Sequence, residues 1–282
     1  MALQLMFVTN RVDIAEAAQS AGVDRIFVDM EYIGKSIRQG GMDTVQSHHT
    51  IEDIRRIKEA VTTAQVMVRV NPIHEKSAEY TSSKEEIDAA IEAGADILML
   101  PYFKTAAEVK TFVELVGGRV KTLPLVETPE AAECIDDILA VNGIDEIYVG
   151  LNDLSLGYGK NFMFELLADG TVERLSEKFK AKGIPFGFGG IAAVGQGMLP
   201  GERVIAEHYR LGSTCAILSR SFCDVNKISD MAEIQHIFEN GLKDIRAFEK
   251  KCDAGEIAFE EKKMIVKDIV EQISAKISGR NV

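Results

Sequence analysis

Acidic side chains and one arginine stand where short apolar, β-branched runs of the sequence end. Asp29 and Glu31 end the second run, Arg69 ends the third, Glu127 follows the fifth, and Asp153 comes shortly after the sixth. Carboxylates are costly to bury unless they are paired or bind a metal ion. Four acids and one arginine in these positions therefore predict a site for ionic or metal-assisted chemistry.

Glu127 and Asp153 are the candidate metal ligands. They are 26 residues apart and follow runs that we expect to form adjacent strands. Adjacent strands are ~4.8 Å apart, so both carboxylates can reach one ion. Two hard oxygen ligands, with water in the remaining positions, suit Mg²⁺ or Mn²⁺, with Co²⁺ as a further choice. On spacing alone, a salt-bridged pair of loop carboxylates explains the two residues equally well.

Arg69 is the candidate for binding an anionic substrate. Its planar guanidinium can make a two-point contact with a substrate carboxylate. A structural alternative is that Arg69 pairs with Asp29 or Glu127 inside the fold, and both roles can hold together.

Three further segments are expected to contribute substrate contacts at the same end of the fold. Gly189 and Gly190, in G-F-G-G, offer backbone amides to an anionic group, although a tight turn explains the glycines as well. Arg220, in S-R-S after the eighth run, adds a basic group for a second carboxylate or a phosphate. Asn152 stands beside Asp153 and is predicted to bind substrate.

The elements that position these residues alternate along the chain. The strand-like runs are continuously apolar, which is typical of parallel strands buried on both faces. Eight such runs separated by amphipathic helices predict a (β/α)₈ TIM barrel, whose strand ends gather the functional residues. A doubly wound sheet is the alternative, but V-T-N-R-V-D replaces its glycine-rich turn after the first run. The predicted strands are 3–8, 25–29, 65–70, 97–100, 122–126, 146–149, 185–188 and 214–218, and the predicted helices are 12–21, 51–61, 84–93, 106–116, 129–139, 171–182 and 203–211.

The predicted barrel domain is 1–252, and 253–282 is predicted to be a separate C-terminal amphipathic helix. Ile265, Ile269, Ile273 and Ile277 recur every four residues in this tail. Such a stripe must be buried, either on the chain's own barrel or on a neighbouring subunit. The preceding helical segment can already serve as the eighth barrel helix, so a neighbouring subunit, and hence a homo-oligomer, is favoured.

The charge balance restricts the classes of partner. The 282 residues include 32 Lys+Arg and 44 Asp+Glu, which gives a formal net charge of −12. This acidic balance argues against nucleic acid and membrane surfaces as partners. The hydrophobic content of 46% excludes a disordered chain. The four cysteines lack zinc or disulfide-scaffold spacing, and the first residues do not resemble a signal peptide, so we expect a cytoplasmic protein.

Five motifs resemble the HpcH/HpaI aldolase and citrate lyase β-subunit family. They are D-M-E at 29–31, V-R-V-N-P at 68–72, G-A-D-I-L-M-L-P at 94–101, L-P-L-V-E-T-P-E-A at 123–131 and G-L-N-D-L-S at 150–155. The resemblance covers roughly residues 20 to 220.

The resemblance implies a metal-dependent barrel enzyme that makes or breaks a carbon–carbon bond next to a pyruvate-like or acyl enolate. It implies that Glu127 and Asp153 are the metal ligands. By the same resemblance, Arg69 binds the enolate oxygen and carboxylate, while Asp29 or Glu31 orients Arg69 or a metal-bound water.

Tyr32 departs from the family pattern. In the aldolase branch a histidine follows the acidic end of strand two and serves the acid–base step. His48 and His49, after an apparent insertion, and His74, in the third βα loop, are the candidates to replace it, since a histidine titrates near pH 6.5. Each has an alternative role as a capping or surface residue, whereas His208 falls in a predicted helix and is expected to be structural.

The sequence therefore predicts an aldolase or lyase acting on a small anionic substrate, a hydroxylated 2-oxo acid, through a pyruvate-type enolate. An acyl-CoA ester lyase of the citramalyl- or malyl-CoA kind is the second hypothesis, because V-R-V-N-P favours it while basic residues for CoA are scattered. A barrel that has lost its base and only binds a ligand is the third. A Schiff-base mechanism through Lys104 is disfavoured, because nothing near it would lower its pKa.

Overall fold

Eight parallel strands form a closed barrel in the order in which they occur along the chain. This computed structural model describes residues 2–34 and 49–279. The first strand pairs with the last, with Gln4 opposite Cys215, so the sheet has no free edge. The predicted (β/α)₈ TIM barrel is confirmed. The strands are β1 (Gln4–Val8), β2 (Arg25–Asp29), β3 (Gln65–Arg69), β4 (Ile97–Leu100), β5 (Lys121–Val126), β6 (Ile147–Val149), β7 (Phe186–Ile191) and β8 (Cys215–Leu218).

Helices follow each strand and cover the outside of the barrel. Capping boxes begin several of them; Thr50 and Asp53, for example, exchange hydrogen bonds between side chain and backbone, as the sequence predicts. The helices of the described residues are α1 (Val12–Ala21), α2 (Ile51–Ala60), α3 (Ser83–Glu92), α4 (Ala106–Val116), α5 (Pro129–Glu133), α6 (Ile135–Ile138), α7 (Leu151–Gly157), α8 (Glu165–Ala168), α9 (Thr171–Ala181), α10 (Gly201–Leu211), α11 (Met231–Asp253) and α12 (Phe259–Ile277).

Three local features differ from the sequence-based expectation. The predicted helix 129–139 is broken at Cys134, whose backbone leaves the helical region, so α5 and α6 are separate. Helix α7 was not predicted and places Asp153 in its first turn rather than in a loop. Strand β7 continues to Ile191, so the predicted glycine turn lies inside the strand, where its register with β8 shifts between Gly187 and Gly190.

Side chains fill the inside of the barrel below the mouth. Met6, Phe27, Met67, Met99 and Tyr148 belong to this interior cluster and are fully or almost fully buried. At the opposite end of the strands Arg25 makes a two-point ion pair with Glu146, at 2.7 and 2.8 Å. The barrel is therefore a packed core that leaves only the carboxyl ends of the strands open for a ligand.

The C-terminal helix α12 packs against helices of its own barrel, α8 and α10. Val266 and Val270 are buried there, and Lys263 forms an ion pair with Glu173 of α9. Part of the apolar stripe is therefore buried on the chain's own barrel, against α8 and α10. The predicted barrel helix before the tail is confirmed as α11, and association with a second copy stays a prediction.

Across the described part of the chain, no helix combines the length and apolar character that crossing a membrane requires.

Candidate active site

Arg69 lies at the end of β3 between two acidic side chains from the end of β2. Its Nε and Nη2 donate to the two carboxylate oxygens of Asp29 at 2.8 and 2.7 Å, and its Nη1 lies 3.4 Å from Oε2 of Glu31. Burial acts to lower the pKa of Arg69, but the charges of Asp29 and Glu31 raise it well above its usual value. Arg69 is thus fixed, charged and only partly covered, as an anion-binding group must be.

The segment that carries Asp29 and Glu31 is itself fixed by hydrogen bonds. The backbone N–H of Asp29 donates to Nδ1 of His49 at 2.9 Å, and the N–H of Glu31 donates to the Asp29 carboxylate at 3.2 Å. Met30 donates its N–H to the carbonyl oxygen of Arg69 at 2.9 Å. The ends of β2 and β3 therefore form one rigid unit.

Glu127 lies at the end of β5 and is almost fully buried. The backbone N–H of Tyr102 donates to its Oε1 at 2.9 Å. Burial raises the pKa of Glu127 to about 8, the charges of Glu31 and Asp153 act in the same direction, and Arg69 opposes them. Gly150 leaves room for this carboxylate, since a Cβ there would come within 2.8 Å of Glu127 Cβ and Oε2.

Asp153 faces Glu127 across the ends of adjacent strands. The two carboxylates line one cavity of about 240 Å³ together with Arg69, and both also line a smaller cavity beside Tyr102. Asn152 donates to Oδ1 of Asp153 at 3.2 Å and lines the larger cavity as well. The structure thus brings the two candidate metal ligands and the candidate anion-binding arginine to one cavity.

The donor set fits a divalent cation held through Glu127 and Asp153. Four carboxylates (Asp29, Glu31, Glu127, Asp153) surround one guanidinium, and this excess of negative charge favours a cation. Both ligands provide hard oxygen atoms, and the open cavity leaves room for water and substrate oxygens, as Mg²⁺ and Mn²⁺ require. Among the described residues no three His, Cys, Asp or Glu side chains form a complete metal cluster, so such an ion would depend on solvent or substrate ligands.

Gly189 and Gly190 line the same cavity. Tyr148 donates its buried hydroxyl to the carbonyl oxygen of Gly189 and accepts the N–H of Ile217 at 2.9 Å. This hydroxyl bridges β7 and β8 where their register is irregular. The glycines are therefore placed by a strand irregularity rather than by the tight turn given as the alternative, and their contact with an anion stays a prediction.

Arg220 lines a second mouth cavity, of about 280 Å³, which also borders Asp29, His49 and Arg69. Ser219 and Ile217 line both mouth cavities. The two cavities are thus neighbours across Arg69, and Arg220 is exposed at the outer one.

A model of the HpcH/HpaI aldolase/citrate lyase family matches residues 4–185. The chain belongs to this family. The predicted resemblance is thereby confirmed, and membership supports a general aldolase or lyase activity. No curated protein sequence matches the chain.

Solved structures of low sequence identity share the fold of this HpcH/HpaI-family chain. An HpcH/HpaI aldolase from Desulfitobacterium hafniense DCB-2 is 19% identical with a TM-score of 0.57, over 86% of this chain and 93% of that one. An HpcH/HpaI aldolase/citrate lyase family protein from Burkholderia cenocepacia J2315 is 17% identical with a TM-score of 0.60, over 86% and 95%. The citrate synthase SbnG is 18% identical with a TM-score of 0.58, over 89% and 95%.

The candidate acid–base histidines of this family member lie in different environments. His49 is buried at the mouth, and because its Nδ1 accepts the N–H of Asp29, a neutral ring carries its proton on Nε2. His74 places its ring nitrogens 2.7 Å from the carbonyl oxygens of Pro72 and Thr81, outside the two mouth cavities. His48 lies outside the described residues.

Two other sequence expectations can be compared with the structure. Burial lowers the pKa of His208 to about 3, and its ring stacks on Phe188 at 3.8 Å, as expected for a structural residue. Lys104 forms an ion pair with Glu130, and this hydrogen bond raises the pKa of Lys104, contrary to what a Schiff-base lysine needs.

Tyr102 and Gly150 were not predicted as site residues. Tyr102 is the one non-glycine residue with a positive φ, 47°, among those the structure describes. A left-handed tyrosine has no sequence signature, but strained backbone of this kind is frequent at functional sites. Gly150 could have been found, because it opens G-L-N-D and precedes a candidate ligand by three residues.

Proposed function

We propose that this chain is a divalent-metal-dependent aldolase or lyase that breaks or forms a carbon–carbon bond of a hydroxylated 2-oxo acid through a pyruvate-type enolate. The observation that carries the proposal is the shared cavity, in which Arg69, held by Asp29 and Glu31, faces Glu127 and Asp153. The opposed guanidinium and carboxylate pair can hold a 2-oxo acid between an anion-binding group and a cation.

The reaction proposed is a retro-aldol cleavage. A base removes the proton of the 4-hydroxyl group, the C3–C4 electron pair moves into the enolate, and an aldehyde or ketone leaves. Proton addition at C3 then gives pyruvate. Every atom of the substrate is accounted for in the two products, and no oxidant or reductant is needed.

Arg69 supplies fixed positive charge where the enolate develops. Asp29 prevents the guanidinium from rotating, because it occupies Nε and Nη2 and leaves the Nη1 edge beside Glu31. A preorganised donor of this kind stabilises a transition state without reorganising during the reaction. Mg²⁺ or Mn²⁺ bound by Glu127 and Asp153 would supply Lewis-acid stabilisation of the same developing charge.

The floor of the cavity is apolar. Phe27, Met99 and Leu125 line it below the charged groups. Apolar walls strengthen the electrostatic interaction of Arg69 with a bound anion, because the local dielectric constant is low. A small 2-oxo acid fits the volume of about 240 Å³ beside these side chains.

The acid–base step is proposed to involve His49, whose ring contacts the end of β2, and His48, which lies outside the described residues. His49 lines the mouth cavity together with Arg69, and its neutral ring presents an Nε2 proton donor. This tautomer suits a hydrogen bond from Nε2–H to the developing enolate oxygen, and proton removal and return are assigned to His48. Both roles are part of the proposal.

The expected setting of the enzyme is a homo-oligomer in a reducing compartment, the cytoplasm. Cys134, Cys215, Cys223 and Cys252 are free thiols, which supports such a compartment. Met264 and Ile277 stay exposed on α12 and provide apolar surface for a second copy.

Proton exchange at the pyruvate methyl group tests the proposal. Protein is incubated with pyruvate in D₂O, with and without Mg²⁺ or Mn²⁺, and the ion is chelated before methyl protons are measured by NMR. Exchange should require the ion and disappear in Glu127→Ala and Asp153→Ala, while the exposed-carboxylate variant Glu133→Ala keeps it. Exchange with acetyl-CoA but not with pyruvate would indicate the acyl-CoA lyase, and exchange with neither would indicate a ligand-binding barrel.

A further inference from the structure

Two backbone groups beyond Glu31 converge on one side-chain oxygen. The N–H groups of Tyr32 and Ile33 both donate to Oδ1 of Asn71, at 2.8 and 2.9 Å. Asn71 is buried and lies two residues after Arg69. The end of the segment 29–33 is therefore attached to the backbone that directly follows β3 and its arginine.

Glu86 of α3 determines which way the amide of Asn71 points. The Nδ2 of Asn71 donates to Oε1 of Glu86 at 2.8 Å, and the backbone N–H of Asn71 donates to the same oxygen at 3.1 Å. An ionised carboxylate only accepts hydrogen bonds, so the NH₂ group of Asn71 must face Glu86. The oxygen of Asn71 must then face the segment 29–33, where it accepts the N–H groups of Tyr32 and Ile33.

The position of Glu86 separates this role from substrate binding. Its side chain lines a third cavity, together with Tyr32, His49 and His74, and lines neither mouth cavity. Burial raises the pKa of Glu86, and the two hydrogen bonds from Asn71 oppose that effect. Burying a carboxylate is costly unless it is hydrogen-bonded. Because Glu86 lines neither mouth cavity, its hydrogen bonds with Asn71 account for its half-buried position.

We propose that Glu86 is a positioning residue of the active site. It orients the amide of Asn71, the oxygen of Asn71 fixes the backbone of the segment 29–33, and this segment holds two carboxylates against Arg69. The chain of contacts spans α3, β3 and β2, so a change at α3 reaches the guanidinium without touching the substrate. The consequence for catalysis rests on the function proposed above for Arg69.

Exchanging the amide group of Asn71 and the acid group of Glu86 between the two positions tests this role. Asn71→Asp opposes two carboxylates, and Glu86→Met removes the oxygen that accepts both N–H donors of Asn71, so each single variant should loosen the segment. The double variant Asn71→Asp with Glu86→Gln reverses the direction of the side-chain hydrogen bond and restores a donor–acceptor match. Glu92→Gln, an exposed carboxylate on the same helix, is the matched control.

The first readout is hydrogen exchange of the Tyr32 and Ile33 amides, which does not depend on activity. Each single variant should exchange them at least about tenfold faster than wild type, and the double variant should recover protection. Wild-type protection in both single variants would overturn the proposal. A double variant whose amides are no better protected than those of the single variants would also overturn it. The melting temperature of each variant shows whether the whole fold is affected.

The second readout is kcat/KM of the metal-dependent pyruvate exchange. It should fall by up to about 100-fold in Glu86→Met, because a small displacement of a catalytic group has effects of this size. Mn²⁺ affinity should stay as in wild type, since Glu127 and Asp153 lie at other strands. Wild-type protein without exchange activity would refute the proposed function alone, and the amide protection would still decide the role of Glu86.

Discussion

The guanidinium of Arg69 and the carboxylate of Asp29 meet in a two-point contact, Nε to Oδ1 at 2.8 Å and Nη2 to Oδ2 at 2.7 Å. The pair joins the ends of β2 and β3 in direct register, because Asp29 and Arg69 are opposite each other in the parallel ladder. The contact leaves the remaining guanidinium nitrogen for Glu31 and the cavity. Arg69 can thus form a structural ion pair with Asp29 and contact a substrate at the same time.

Arg69→Lys should lower kcat/KM for pyruvate exchange by about 100-fold or more, because an ammonium cannot contact Asp29 and an enolate in one plane. Steady-state exchange rates measured by NMR provide the test. Arg55→Lys, on the exposed face of α2, serves as the matched control and should behave as wild type. Unchanged kcat/KM in Arg69→Lys would assign the arginine to structure alone.

Metal affinity should rise with pH, because burial raises the pKa of Glu127 to about 8. Below that pH a cation must displace the proton of Glu127, so Mn²⁺ affinity should increase about tenfold per pH unit between pH 6 and 7 and level off above about 8. Titration calorimetry with Mn²⁺ at several pH values measures this. The slope should vanish in Glu127→Gln, and a flat wild-type profile contradicts the assignment.

Gly150→Ala should weaken Mn²⁺ binding by about tenfold, because the added methyl group takes the space of the Glu127 carboxylate. Gly190→Ala is the comparison variant, since its Cβ would meet Ser219 Cβ at 3.3 Å, away from Glu127. Calorimetric Mn²⁺ affinities of the two variants should therefore differ. Equal affinities would mean that the Glu127 side chain moves aside without loss.

Much of the architecture could be predicted because its physical cause is local. Strands buried on both faces are continuously apolar, and helices such as α2 carry capping residues in the sequence. The placement of Asp29, Arg69 and Glu127 at the mouth follows from the barrel itself, since all strands point the same way.

The features that could not be predicted depend on contacts between distant segments. The left-handed backbone of Tyr102 is fixed by Glu127, 25 residues further on. The irregular register of β7 depends on the hydroxyl of Tyr148 from β6, and the burial of α12 depends on its packing against α8 and α10. The apolar stripe of α12 is periodic in the sequence, but the partners in these contacts are not marked there by a motif or a periodicity.

Stability should fall in acid partly because His208 is buried as a neutral ring. Burial lowers its pKa to about 3, whereas an unfolded histidine titrates near 6.5, so the unfolded state binds the extra proton between these values. The buried neutral ring should lower the free energy of unfolding by about 2 kcal/mol at pH 5, and this loss should be absent above pH 7. Urea unfolding of wild type and His208→Gln at both pH values measures it, and an equal pH dependence in the two proteins would contradict it.

The ion pair at the bottom of the barrel should matter for stability and not for catalysis. Glu146 has two basic partners, the fully buried Arg25 and the half-exposed Lys121. Burial acts to raise the pKa of Glu146, but the hydrogen bonds and charges of Arg25 and Lys121 together outweigh it and lower the pKa below the usual value. Removing one partner of a buried pair leaves an uncompensated charge, whereas an exposed partner contributes little.

Arg25→Met should therefore lower the free energy of unfolding by about 3–5 kcal/mol, and Lys121→Met by less than about 1 kcal/mol. Urea titrations of both variants measure these values against wild type. Pyruvate exchange per folded molecule should be unchanged in both, because Arg25 begins the strand whose other end carries Asp29. A loss of exchange in folded Arg25→Met protein would show that the two ends of β2 are coupled, contrary to the separation of packing from chemistry in this barrel.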